Sequence, residues 1–192
     1  MGSAAFVFPI GEHVPGEMDE TLAFHPLHVA VLTVSDTRTE ETDASGATLV
    51  ERLRAAGHQL VGRAVVPDDV EAIRREVRQW VADAGVDLIL TTGGTGFTPR
   101  DVTPEAIQPL IRRTMDGFAV LFHQASMTTV GVATLQSRAF AGQIDETFIF
   151  CLPGSTGACK DAWDLVLATE LDSRFCPCSL PSLVPRLRGQ IG

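Results

Sequence analysis

Residues 86–106 read VDLILTTGGTGFTPRDVTPEA, and they set the architecture of the whole chain. The apolar run 86–90 reads as a buried strand. It passes into Thr91-Thr92-Gly93-Gly94-Thr95-Gly96 and then a polar turn with Pro99, Arg100 and Asp101. Thr103-Pro104-Glu105 is a helix start: threonine at the N-cap, proline at the first helical position, an acid in the first turn. The unit is strand, glycine loop, helix. In an open α/β sheet, ligands lie beyond the carboxyl ends of the strands, where such loops sit.

The loop's residue types suggest its chemistry. Gly93, Gly94 and Gly96 lack Cβ, so the backbone can approach a ligand closely. Successive amides beside a helix start favour an anion, most often phosphate. The pattern is neither GxGxxG nor GxxxxGK[ST], because no lysine follows the glycines. A tight turn that needs glycine for shape alone is the competing reading. Asp101 tilts the balance, since a carboxylate close to bound phosphate suits Mg²⁺.

Upstream, residues 28–34 (HVAVLTV) form a strand apolar on both faces and end in the polar Ser35-Asp36-Thr37-Arg38. A helix is expected from Ser45 to Ala56, then a strand over 59–66 ending in Pro67-Asp68-Asp69. The next helix carries Val70, Ile73, Val77, Trp80 and Val81 at helical spacing. Asp68 and Glu71 have capping-box spacing, so helix capping is the plain reading of Asp68. Downstream, Pro109 is expected to bend the Thr103 helix, and residues 118–127 form another helix. Residues 128–138 carry no clear pattern. Strands at 139–144 and 147–152 form a hairpin turning at Asp145-Glu146. Pro153-Gly154-Ser155-Thr156 then leads into a helix over 157–169, where Lys160 reads as a surface lysine.

Alternating strands and helices predict an α/β fold: a mostly parallel sheet, helices on both faces and a small antiparallel hairpin. At 192 residues one main domain is expected, over 27–178. An irregular arm precedes it at 1–26, with an apolar stretch at 6–10 suited to docking on a neighbour. A proline-containing tail at 179–192 is expected to be extended. Net charge is -9 with no long basic run, which argues against nucleic acid. No apolar run of about 18 residues is evident, so no membrane partner is expected. Residues 1–25 make a poor secretion signal. Cys151 and Cys159 read as small core residues, and Cys176-Pro177-Cys178 lacks a second pair at zinc spacing. Free thiols in a cytoplasmic protein are the expectation.

Several strand ends together resemble the MoaB/MogA family of molybdenum-cofactor biosynthesis proteins, related to the G domain of gephyrin. The matching segments are LTVSDTR at 32–38, DASG at 43–46, VPDD at 66–69, TTGGTGFTPRDVTPEA at 91–106, LQSRAFAG at 135–142 and LPGSTGACKDAW at 152–163. They span almost all of 28–178, and LDSRFCPCSL at 171–180 resembles the MoaB branch more than MogA. The resemblance implies a three-layer α/β sandwich that binds molybdopterin and nucleotide at the strand ends. Active members transfer AMP from Mg-ATP to the terminal phosphate of molybdopterin. The family's two important acids fall on Asp68 and Asp101, which would hold Mg²⁺. Binding positions implied for ATP and molybdopterin are Ser35, Asp36, Ser45, Gly93, Gly94, Thr95, Gly96, Ser137, Arg138, Pro153, Gly154 and Ser155. Arg138 suits a phosphate through its bidentate fork. The family further implies homotrimers or hexamers and partners among other molybdenum-cofactor enzymes. Two functional readings follow: an adenylyltransferase, or a non-catalytic molybdopterin carrier. Another phosphate-ligand enzyme on a doubly wound sheet is the reading without the family. Retention of both acids favours the first.

Overall fold

The computed structural model of the protein describes residues 16–190. The apolar stretch at 6–10 lies outside them. In chain order the strands and α-helices are β1 (Glu17–Met18), β2 (His28–Val34), α1 (Ala44–Ala55), β3 (Gln59–Val66), α2 (Val70–Val81), β4 (Leu88–Thr92) and α3 (Thr103–Ile107). There follow β5 (Arg113–Thr114), α4 (Asp116–Val130), β6 (Phe140–Ile144), β7 (Thr147–Leu152), α5 (Thr156–Ala162), α6 (Ala168–Glu170), β8 (Phe175–Cys176) and α7 (Val184–Leu187). The main sheet has six strands in the order β3-β2-β4-β7-β6-β5. β3, β2, β4 and β7 run parallel, while β6 and β5 join antiparallel. β1 and β8 form a separate two-stranded ribbon, so the arm before β2 is paired from Glu17 onward.

The period of two along the strands explains the layers. Val29 and Val31 of β2 face one core with Leu49, Leu53, Phe122 and Trp163. Ala30, Leu32 and Val34 face the other, with Ile73, Val77 and Ile107. β7 divides the same way: Phe148, Phe150 and Leu152 on one side, Ile149 and Cys151 on the other. Both faces are covered, so the strands read as unbroken apolar runs. The three-layer α/β sandwich with its antiparallel hairpin is the observed fold.

Local corrections have local causes. β4 starts at Leu88 and runs to Thr92, two residues later at each end than expected. Val86 closes a turn onto the Asp83 carbonyl, and buried Asp87 accepts a hydrogen bond from the His28 amide (2.7 Å). The tail is not extended. A 3₁₀ turn at Leu180–Ser182 and helix α7 bury Leu180 and Val184 in the core, and Arg188 reaches Asp87 at 2.8 Å. Pro181 and Pro185 fall in the first turns of these helices, where a missing N–H costs nothing. α3 ends at Ile107 and passes into a 3₁₀ turn holding Pro109, so the proline stops the α-helix rather than bending it. The unpatterned 128–138 stretch completes α4 and then forms a 3₁₀ helix, Gly131–Gln136.

That last region corrects the count of apolar runs. Asp116–Gln136 is 21 residues, long and apolar enough to cross a membrane by length and composition. Thr, Ser, Gln and His interrupt it, so the sequence holds no unbroken apolar run of that length there. In the fold its inner face, Phe118, Phe122 and Ala125, belongs to the core, with Phe118 edge-on to Phe150 at 4.9 Å. Its outer face leaves Val120, Leu121, Met127, Val130, Val132 and Leu135 exposed.

At the far end of the sheet, buried His58 lies between Phe24 and Trp163, and its Nδ1 accepts the Leu27 amide at 3.2 Å. A proton on Nδ1 would break that bond. Burial holds the His58 pKa below its ordinary 6.5, and the charge of Asp172 opposes this only in part. Between the two pKa values the unfolded chain binds more protons. The stabilisation is therefore complete above the unfolded value near 6.5 and lost as pH falls below it. Denaturant unfolding between about pH 7.5 and 5.5 is expected to show falling stability in the parent. A flatter slope is expected in His58→Asn, which keeps an acceptor but cannot titrate. Equal slopes would assign the effect to other groups.

Candidate functional site

The carboxyl ends of β2, β3, β4 and β7 open into a cleft of about 460 Å³. Its floor is the glycine loop. Gly93 has φ +107°, and a Cβ there would sit 2.2 Å from the Val34 carbonyl oxygen. Gly94 has φ +62° and would meet Thr103 Oγ1 at 2.4 Å. Both positions demand glycine by conformation and by space. Thr103 is not the N-cap; Val102 is, and it makes no side-chain capping bond. The Thr103 hydroxyl instead donates to the Gly93 carbonyl (2.9 Å) and its amide to the Gly94 carbonyl (3.0 Å). The fully buried threonine thus stitches α3 to the loop.

The two aspartates of VPDD divide the work. Asp69 is the N-cap of α2, its Oδ1 accepting the Ala72 amide at 2.8 Å. Glu71 pairs with Arg74 and closes no capping box with Asp68. Asp68 is therefore free of the capping role its spacing suggested. It lines the cleft and exchanges hydrogen bonds with Asp36: the Asp36 amide donates to Asp68 Oδ2 and the Asp68 amide to Asp36 Oδ1, both at 3.1 Å. Burial and then the charge of Asp101 push the Asp68 pKa up.

Asp101 also lines the cleft. Its Oδ2 accepts the Thr98 amide (2.8 Å) and hydroxyl (2.6 Å). Burial acts to raise its pKa, but these bonds, the Gly96 amide and the charge of Arg138 outweigh it and hold the group below the ordinary range. Two acids thus share one cleft, and burial, aided by the charge of Asp101, pushes Asp68 up. Among the described residues no three His, Cys, Asp or Glu side chains form a metal cage. This donor set fits a Mg²⁺ that arrives on phosphate and keeps its waters, which needs only one or two carboxylates.

Most of the expected binding residues converge here. Ser35, Gly93, Gly94, Thr95, Gly96, Ser137, Pro153, Gly154 and Ser155 line the cleft. Asp36 opens onto a smaller hollow of about 380 Å³ beside it and pairs with Arg100. Ser155 also caps α5, its Oγ accepting the Ala158 amide at 3.1 Å. Two expected ligands line neither space. Ser45 is fully buried, donating to Asp43 Oδ1 and accepting from Arg38 at 2.6 Å. Each guanidinium nitrogen of Arg138 bonds to protein: Nε to the Gly96 carbonyl (2.8 Å), one NH2 group to the Asp101 carbonyl (2.7 Å), the other to Glu105. With its amide on the Thr95 carbonyl (2.8 Å), Arg138 clamps the loop.

Asp43 and Arg38 were missed. Asp43 precedes an apolar-periodic helix, the ordinary N-cap signature, and could have been found that way. Its buried carboxylate accepts from the Gly46 amide (2.9 Å), Thr33 Oγ1 (2.7 Å), Ser45 Oγ (3.1 Å) and Arg63 (3.1 Å). Burial alone would raise its pKa, and those donors together hold it below the ordinary range.

Known proteins carry the same architecture. Residues 30–173 match the family described as "Probable molybdopterin binding domain". The chain is 46% identical over 156 residues to molybdenum cofactor biosynthesis protein B of Escherichia coli K12, covering 81% of this chain and 92% of that one. It is 44% identical to the protein of the same name from Bacillus subtilis, over 73% of this chain and 84% of the other. A crystal structure of a molybdenum cofactor biosynthesis protein B superposes with TM-score 0.78 at 37% identity, covering 88% of this chain and 100% of that one. The tungsten cofactor synthesizing protein MoaB of Pyrococcus furiosus gives 0.67 at 34% identity, over 74% and 91%. With the glycine loop, VPDD and PRDVTPEA gathered at one set of strand ends, the chain belongs to the molybdopterin-binding family of molybdenum-cofactor biosynthesis proteins.

Proposed function

We propose that this protein transfers AMP from Mg-ATP to the terminal phosphate of molybdopterin, releasing pyrophosphate. The observation that carries the reading is Asp68, which leaves helix capping to Asp69 and lines one cleft with Asp101 and the glycine loop. In this reaction a phosphate oxygen of molybdopterin attacks the α-phosphorus of ATP. A new P–O bond forms, the bond from the α-phosphorus to the β-bridging oxygen breaks, and pyrophosphate leaves with that electron pair. Such transfer needs positioning and charge neutralisation, with little covalent work for the protein. Amides of the glycine loop and of Gly154 and Ser155 suit phosphate oxygens. Asp68 and Asp101 would hold Mg²⁺, which when bound neutralises charge on the phosphates.

The test is pyrophosphate release by purified protein given molybdopterin and Mg-ATP. Molybdopterin binding without release would return the chain to the carrier reading. A cytoplasmic location accords with free thiols at Cys151, Cys159, Cys176 and Cys178.

The same reading includes assembly into homotrimers or hexamers. The exposed face of α4 and its 3₁₀ extension supports it: Val132 is 73% and Leu135 76% exposed. No Asp, Glu, Lys or Arg falls in residues 117–136, so the face is apolar and uncharged, as an interface core is. Light scattering at micromolar concentration is expected to give a mass above the monomer; a monomer would overturn the assembly reading.

A further inference from the structure

Two arginines lie by the strand ends and the glycine loop, and their placement separates them. Arg138 has each guanidinium nitrogen bonded to a loop carbonyl or Glu105 and does not line the cleft. Arg38 does line it. Its amide donates to Ser35 Oγ (3.3 Å), and one terminal nitrogen donates to Ser45 Oγ (2.6 Å) and lies 3.8 Å from Asp43 Oδ1. Its other guanidinium donors take no acceptor among the described residues, and the side chain is 35% exposed. It is the one Lys or Arg among the described residues lining the cleft. It also lines the neighbouring hollow, so the two spaces meet at Ser35 and Arg38.

We infer that Arg38 is the cationic ligand for a phosphate or pyrophosphate group at the saddle between the two spaces, and that Asp43 and Ser45 hold it there. The support runs outward from the core. The Asp43 carboxylate is anchored by Thr33 of β2, by the start of α1 and by Arg63 of β3, and Ser45 passes that anchorage to the guanidinium. A tethered guanidinium loses less freedom on binding than a free surface arginine. Each space holds two acids, Asp36 and Glu40 in the hollow and Asp68 and Asp101 in the cleft, but only the cleft adds the glycine loop and its amides, so the phosphate belongs on the cleft side of Arg38. The ligand class is a compound bearing a terminal phosphate or a phosphoanhydride. The inference rests on reading the cleft as a phosphate site, and it is separable from adenylyl transfer.

The probe is inorganic pyrophosphate, titrated calorimetrically into the full chain at constant salt with Mg²⁺ present. Arg38→Gln is expected to weaken binding about tenfold or more, as loss of a charge-assisted hydrogen bond does. Arg38→Lys recovers part of the affinity, because a point charge replaces the fork. Ser45→Ala keeps the charge and removes only the tether, and is expected to weaken binding about threefold. Thermal midpoints and circular dichroism identify any variant that fails to fold. Rescue by lysine is not expected of a merely structural arginine. Binding by Arg38→Gln within about twofold of the parent, or no binding by the parent at millimolar pyrophosphate, overturns the inference. Arg38-dependent binding in a protein that releases no pyrophosphate from Mg-ATP and molybdopterin keeps the site and removes the adenylyltransferase reading.

Discussion

Asp101→Asn is expected to lower adenylyl transfer by about 10²–10³, a barrier increase of roughly 2.7–4 kcal/mol, the usual cost of one preorganised interaction with developing charge. Asparagine is the informative replacement because Asp101 has two jobs. Its Oδ2 closes the turn by accepting the Thr98 amide and hydroxyl, and an asparagine carbonyl can accept the same pair. Alanine would open the turn and remove the charge together. Asparagine gives up the charge and the contact with the Gly96 amide while the turn persists. The plain alternative is a loop former that also favours the α3 dipole, worth about 0.3–1 kcal/mol of stability and nothing in the chemical step. Turnover at saturating substrate separates the two. Molybdopterin binding is expected to survive better than turnover, because other donors line the cleft. A rate within about threefold of the parent, under ~0.7 kcal/mol, would move the metal-holding role away from Asp101.

What the sequence made legible was mostly what is local or periodic. The strand β2 is apolar at every position after His28 except Thr33, and that pattern follows directly from having a helix layer on each face. The hairpin of β6 and β7 showed itself through its turn residues. The errors arose where a side chain reaches across the fold. Thr103 had the residue type of a cap, but its partner is a loop carbonyl ten positions back. Asp68 and Asp69 are equally good caps by type, and only backbone geometry assigned the role to Asp69. Arg138 was expected on phosphate because of its chemistry, while its acceptors at Gly96, Asp101 and Glu105 lie 33 to 42 positions away. The tail's prolines signalled extension, yet each occupies a first helical turn beside buried Leu180 or Val184. Proline type alone does not distinguish those two uses.

The largest stability effect is expected at Asp43, where Ala is predicted to cost about 3–5 kcal/mol, as removing one partner of a buried charge pair does. Three losses combine there. α1 loses its N-cap, worth about 1 kcal/mol by itself. Thr33, 1% exposed, loses the acceptor of its hydroxyl. Arg63 and Arg38 lose the carboxylate that compensates them, and Arg63 Nε already lacks a partner among the described residues. Asp43→Asn keeps the cap and an acceptor for Thr33, so it is expected to cost distinctly less, and the difference isolates the charge. The sign with pH follows from the depressed pKa. The carboxylate's contribution is present above the unfolded value near 3.8 and lost as pH falls through the lower folded value. The parent's stability should therefore drop through that acid range more steeply than that of either variant. Denaturant midpoints at constant m-value provide the measurement. A cost below about 1 kcal/mol for Ala would mean that the cap alone matters and that the arginines find water. In that case Arg38 would not depend on Asp43, and Asp43→Asn would leave pyrophosphate affinity at the parent value. If the network holds Arg38 in place, the asparagine variant folds and binds pyrophosphate more weakly, which links the buried carboxylate to the cleft through Ser45.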